Sequence, residues 1–325
     1  VKLLPSANAA INDLIVILYG LQMTTAVKYG KQLLCKNIMP TKPRGPWPYR
    51  FSFDGKTGGS LMAFPLLVCY NAGNELEEEV SAVAIESGAW IMRGLRWDDP
   101  CRIRSWQELI RWIDEVGFLP LFKNEIDGFS AEEHTSDLYW WSGDPEQDPW
   151  EWRQLIAHSG QVAYGKFFGK KAGFISKAWF PHFANWRRDG YDFDSRWDEE
   201  LANIRQKRIM DQFTVKDELY SFELKRLSGF GKEGEKNFEG TVTDLQMGGY
   251  LLIRDFRQRL NKKGQPYGWP ISVYTTPEAL WGYAYISSAY STEPAQSKGL
   301  IYQRVRKNFP AATEATLQAV LGWNR

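Results

Sequence analysis

EKNFEGTVTDLQMGGYLLIRDFRQRLNKKGQPYGWPISVY, residues 235–274, changes its apolar period half-way along. Phe238, Val242 and Leu245 fall at i, i+4 and i+7, the spacing that gathers side chains on one face of an α-helix. The pattern predicts a helix over residues 235–247, ended by Gly248-Gly249. Beyond the glycines the period shortens. Residues 250–260 alternate in part, Asn261-Lys262-Lys263-Gly264 reads as a turn, and residues 269–274 return, so a hairpin is expected.

Upstream, residues 198–216 space Leu201, Ile204, Ile209 and Phe213 for one buried stripe. Ser221 is placed to cap a second helix over residues 222–227, closed by Gly229, and a glycine-rich loop (229–234) leads into the third. Three helices and then a basic two-stranded hairpin is the winged-helix arrangement. Downstream, residues 295–309 predict a helix with Leu300, Ile301, Val305 and Phe309 inward and Lys298, Arg304, Arg306 and Lys307 mainly outward. A break at Pro310 and a helix over residues 313–321 come next, resembling the start of a second unit cut off before any hairpin.

The expected fold class is α+β, with tandem winged-helix units. Four regions are expected: a mixed α/β N-terminal region of unknown role (1–100), an aromatic-rich α+β region (101–195), a winged helix (196–283) and the C-terminal helices (284–325). Within the second region Ser105 caps residues 106–116, with Glu108 as the third residue of a capping box. Leu109, Trp112, Ile113 and Val116 share a face, Gly117 stops the helix, and residues 118–122 form a short strand. Residues 164–171 read as strand, turn, strand. In the first region residues 11–21 and 75–87 look helical, residues 41–59 form a loop, and the apolar run 61–70 is strand or helix. Asp98-Asp99-Pro100 is a plausible boundary.

Composition narrows the class. With 43% hydrophobic and 24% charged residues the chain is globular rather than disordered. Its longest early apolar run, residues 14–18, is far short of the roughly 20 residues a membrane span needs. No signal peptide is evident. Cys35, Cys69 and Cys101 are odd in number and far apart, which fits a reducing, cytoplasmic setting. The net charge of +1 hides an asymmetry: 15 basic against 21 acidic residues up to residue 160, and 25 against 18 after it. A basic second half suits a polyanion.

The candidate chemistry comes from these elements. Arg254, Arg257, Arg259, Lys262 and Lys263 crowd the hairpin, where they can straddle phosphates and release counterions. The bland alternative is a solvated edge protected against aggregation. Lys236 and Asn237, with Glu239, Thr243 and Asp244, face outward on the third helix; Arg304 and Lys307 add basic charge further on. Asp148 and Glu151, beside Trp150 and Trp152, offer the carboxylates and aromatic surfaces that base excision needs. Here too a structural reading stands: Asp148 caps a helix with Pro149 at its first position, and the tryptophans fill core. His134, His158 and His182 lack metal-ligand spacing, Gly55-Lys56-Thr57 lacks the remainder of a phosphate loop, and no cofactor fingerprint is present, so no metal or cofactor is expected.

From Ser105 onward the chain resembles the AlkZ-related proteins, relatives of the AlkZ/YcaQ DNA glycosylases. The likeness lies in Trp106 with Gly117-Phe118, Asp148-Pro149-Trp150-Glu151-Trp152, Tyr164-Gly165-Lys166 and Ile175-Ser176. It continues through Glu223 to Leu227, Gly231 to Gly234, Thr243 to Met247, Lys262 to Trp269 and Leu321-Gly322-Trp323. The resemblance implies tandem winged helices and double-stranded DNA as partner, with base excision in DNA repair. The glycosylases' Gln-x-Gln or Gln-x-Asp catalytic motif occurs nowhere in the 325 residues. A non-catalytic interaction or regulatory module is therefore the alternative. An enzyme centred on the aromatic loop Trp47 to Phe51 is a third.

Overall fold

A computed structural model describes residues 92–322 and, before them, two paired strands. Two compact units divide at Ile91/Met92. In the first, β1 (Ile85–Glu86) and β2 (Ala89–Trp90) pair antiparallel. Of the helix expected at 75–87 only Ile85–Glu86 are described, and they are strand. The features expected at 11–21, 41–59 and 61–70 lie outside the described residues, as does the loop Trp47 to Phe51. The second unit starts upstream of the boundary expected at residues 98–100. Leu95 bridges to Ser136, and the Arg93 N–H donates to Glu132 at 2.7 Å, so residues 92–100 are stitched to the body of the second unit.

The second unit opens with α1 (Trp106–Val116) and β3 (Phe118–Pro120). Ser105 caps α1, accepting from Glu108 N at 3.3 Å. The Glu108 carboxylate reaches back one residue further than a capping box does, to the Arg104 N–H at 2.7 Å. Leu109, Trp112, Ile113 and Val116 are buried together, as their spacing predicts. Gly117 ends the helix at φ +90, and a Cβ there would meet the Trp179 ring at 2.9 Å, so only glycine fits. Next come α2 (Ala131–His134), α3 (Pro149–Ser159), β4 (Val162–Phe168) and β5 (Lys171–Ser176). The three strands form an antiparallel sheet in the order β3-β5-β4.

The order then recurs. After α4 (Phe180–Arg188) and α5 (Phe193–Asp198) come α6 (Ile204–Met210), β6 (Glu218–Tyr220), α7 (Ser221–Leu227) and α8 (Phe238–Met247). They are followed by β7 (Leu252–Leu260) and β8 (Pro266–Thr275), in the sheet order β6-β8-β7. Helix, strand, helix, helix, hairpin, with the last strand in the middle, thus occurs twice. The copy other than the one expected at 196–283 is the first in the chain and lies in the aromatic-rich region before residue 196, not in the C-terminal helices where an incomplete one was expected. Those helices, α11 (Pro294–Asn308) and α12 (Glu314–Leu321), come after the short α9 (Pro277–Trp281) and α10 (Tyr283–Ile286). No strand comes after them among the described residues, and α11 packs on α4.

Local details depart from the sequence reading in instructive ways. The single helix expected at 198–216 is broken. Asn203 caps α6 with a full capping box, so Leu201 and Ile204 lie at the exposed start while Ile209 alone is fully buried. Leu300 is exposed as well, whereas Ile301, Val305 and Phe309 are buried. Ser221 is the first residue of α7 rather than its cap.

α4 is the centre of the unit. Phe180, Phe183, Ala184, Asn185, Arg187 and Arg188 on it are all buried. Arg188 donates to Glu278 at 2.5 Å, to Tyr290 Oη at 3.0 Å and to the Gly249 carbonyl at 2.6 Å, and it lies over the Tyr250 ring. Burial alone would lower the pKa of Arg188, but Glu278 and Tyr290 outweigh it and raise the value. Arg187 donates to the Leu321 carbonyl at 2.5 Å and packs its guanidinium against Trp186. Breaking such a buried pair from one side strands the other charge. Arg188→Ala is expected to destabilise the chain by roughly 3–5 kcal/mol in urea unfolding. Glu278→Ala added to it should cost clearly less than it does alone, which a double-mutant cycle measures.

Candidate nucleic-acid interface

The β7–β8 hairpin divides into a pinned base and a projecting tip. At the base, Arg254 donates to the Ala157 carbonyl at 2.9 Å and pairs with Glu218 at 3.3 Å. Arg257 pairs with Asp255 at 2.6 Å and with Glu218 at 2.7 Å, and His158 contacts Asp255 at 3.1 Å. Two of the three arginines expected to grip phosphate are thus spent inside the molecule. Asp255 carries the base. Burial pushes its carboxyl up, but hydrogen bonds from Arg257, from His158 and from the Phe256 N–H outweigh burial and hold it below the usual carboxylate range.

The tip is different. Leu260 faces Pro266, and the five-residue loop between them is ordered by Asn261, whose Oδ1 accepts from Lys263 N at 2.8 Å and from Gln265 N at 3.1 Å. Lys262 and Lys263 are exposed, and among the described residues neither is in an ion pair. Arg259 lies over the Phe222 ring at 4.5 Å, also without an acidic partner among them. Residues 258–269 contain three cations and no acid.

The pairing slips just below the tip. Arg257 faces Ile271 and Arg259 faces Tyr267, so β7 spends one residue where β8 spends three. Gly268 takes φ +72 and Pro270, which has no N–H to leave unpaired, sits in the same bulge. The irregularity turns Trp269 out to 70% exposure, beside Tyr267 and Leu260, which are also exposed. Sequence reading passed over these three. The signal was there in the Pro-Tyr-Gly-Trp-Pro run, where two aromatics flank a glycine next to a basic turn.

The remaining basic candidates are scattered. Lys236 folds back onto the Gly231 and Lys232 carbonyls. Asn237 precedes α8 in the left-handed region at φ +64, so the third helix begins three residues later than expected. Thr243 is buried and bonds the Glu239 carbonyl at 2.8 Å, leaving Glu239 and Asp244 as the more exposed residues of α8. Arg304 donates to the Glu115 carbonyl and lies over Trp179; Lys307 is exposed on the same helix, α11.

The acidic and aromatic candidates lie in α3 and its approach. Asp148 is fully buried as the cap of α3, accepting from Trp150 N at 2.8 Å, Gly143 N at 2.9 Å and Trp141 N at 3.1 Å. Burial raises its pKa, and those backbone bonds offset part of the effect. Glu151, partly buried, accepts from Gln154 at 2.7 Å, and its pKa is raised, chiefly by burial. Trp152 is fully buried and closed to any base. Trp150 is half-covered, with Arg153 stacked on it at 3.7 Å and Phe256 on the guanidinium's other side at 4.3 Å. A hollow of 240 Å³ is lined in part by Pro120, Phe122, Phe168, Lys171 and Val320; neither acid borders it. No group of three or more His, Cys, Asp or Glu side chains among the described residues is placed to hold a metal.

A sequence profile described as AlkZ related matches residues 103–322, both copies of the repeated order and the C-terminal helices included. The chain belongs to the AlkZ-related family. No curated protein matches, and no solved structure does. The AlkZ-related match begins just before α1, so it leaves out the first compact unit entirely. Among the described residues no helix is long and apolar enough to cross a membrane.

The pinned hairpin base gives this AlkZ-related chain an acid sensitivity with a definite sign. The folded pKa of Asp255 is depressed, so the stability it contributes is complete above the unfolded value of about 3.9 and drains away as pH falls through the folded value. Urea midpoints should drop from about pH 4 downward, more steeply in the wild type than in Asp255→Asn, where the ionisation is removed.

Proposed function

We propose that the chain is a DNA-binding protein built on two winged-helix units, and that it holds duplex DNA chiefly through the β7–β8 hairpin of the second. One observation carries the reading: the tip of this hairpin projects three cations with no acid among residues 258–269, on an arm whose base is locked by ion pairs. A rigid cationic arm neutralises phosphates without first having to be ordered. The helix, strand, helix, helix, hairpin order supports the winged-helix reading, with the central strand contributed last in both copies. Family membership supports DNA as the partner, and with it a role in the repair theme of the glycosylases that the sequence resembles.

The hairpin rather than α8 makes the principal contact. Seven of the ten residues of α8 are buried, and the acids Glu239 and Asp244 would repel a phosphate backbone. The same acids favour the second reading, a unit that binds protein. Base excision would have to use Glu151, since the oxygens of Asp148 are taken up by the helix cap.

Binding to a duplex should weaken as salt rises, by mobility shift or anisotropy. Lys262→Ala with Lys263→Ala should lower the slope of log K against log salt by about 1.8, two phosphates' worth. A slope unchanged by the double substitution removes the hairpin from the interface. Affinity independent of salt would favour the protein-binding reading. Release of free base from alkylated duplex, abolished by Glu151→Gln, is the outcome expected if the chain also excises; none from wild type confines it to binding.

A further inference from the structure

We propose that the β8 side of the hairpin tip is a stacking surface for unpaired bases, so that the chain prefers DNA with bulged or extruded nucleotides over an intact duplex. The inference rests on the DNA-binding reading above and deepens it. Cations alone account for phosphate contact, yet the tip also exposes three apolar side chains that a phosphate grip does not need: Leu260 at 64%, Tyr267 at 49% and Trp269 at 70%.

Their placement is built. The two extra residues in β8 turn Trp269 outward, and Gln258 Nε2 donates to the Gly268 carbonyl at 3.3 Å across the irregularity. Pro270 comes directly after, limiting the backbone freedom of the turn. Tyr267 stands opposite Arg259 in the strand register, so a cation and a ring occupy neighbouring positions.

The chemistry of the surface selects its ligand. Flat aromatic faces next to cations suit a polyanion that also presents flat faces, which is nucleic acid; an apolar protein patch would be disfavoured by three uncompensated charges. In an intact duplex the faces of the bases are covered by their neighbours. They become available only where a base is unpaired or extruded, and there an aromatic side chain replaces the lost stacking. Leu260 next to the turn is of the size and polarity that wedges between base steps.

The test uses the full chain and two DNA duplexes of one sequence, one fully paired and one with a three-nucleotide bulge carrying 2-aminopurine, at a single salt concentration. Wild type should bind the bulged form about fivefold or more tightly, the ratio expected for one base–aromatic stack, and 2-aminopurine fluorescence should fall on binding. Trp269→Ala should abolish both the preference and the quenching, so that the variant binds the bulged and the paired duplex equally. Trp269→Phe should restore most of both. Equal affinity for the two duplexes, or a preference that survives Trp269→Ala, overturns the inference and leaves the DNA-binding reading standing. Failure to bind either duplex overturns both. The urea midpoint of the alanine variant, measured beside wild type, separates a lost contact from a lost fold.

Discussion

Two adjacent guanidinium groups at the end of α4 hold together parts of the chain that are far apart in sequence. Arg188 ties the turn after α8, at Gly249, to the helices beyond β8 through Glu278 and Tyr290. Arg187 ties the end of α12, at Leu321, to β4 at Phe167. Both are almost wholly buried. An apolar side chain of the same size would fill the space but would leave those carbonyls without donors, and an unsatisfied buried acceptor is costly. Next to them Asn185 donates to Ser297 and to the Thr292 carbonyl, fixing α11 on the same helix. The polar groups of α4 set which element lies where, and the phenylalanines beside them supply the burial.

The two copies of the repeated order have been put to different uses. In the first, β4 and β5 join through a two-residue turn with positive φ at both Gly169 and Lys170, the tight form that matches strand twist. That hairpin is short, and most of its side chains are buried. In the second, a five-residue loop and a bulge carry the hairpin beyond its sheet, and its outer half is exposed. One topology thus yields a structural element in one place and a projecting arm in the other, and the difference lies in a few residues around each turn.

Helices with a clear apolar period were legible in the sequence. α1 has its cap, stripe and glycine stop where Ser105, Leu109 to Val116 and Gly117 put them, and α8 buries Phe238, Val242 and Leu245 as spaced. The hairpin was legible through its turn. What sequence could not supply was the partner of each charge. Arg254, Arg257 and Arg259 look alike in the chain, but Glu218, thirty-six or more residues earlier, takes the first two and leaves the third. The first copy of the repeat was hidden for another reason. Its second helix has only four residues, and a loop of fourteen residues separates it from the third, so no apolar period marks the pair. Trp269 was passed over because its exposure depends on a register slip, whose one local mark is the Pro-Tyr-Gly-Trp-Pro run.

The sandwich of Trp150, Arg153 and Phe256 has a practical meaning for handling the protein. It joins the third helix of one copy to the hairpin of the other by a cation held between two rings and shielded from water. Mobile ions weaken attraction between exposed charges far more than contacts of this kind. Concentrated electrolyte that screens the exposed charges of the hairpin tip should therefore leave the two copies clasped.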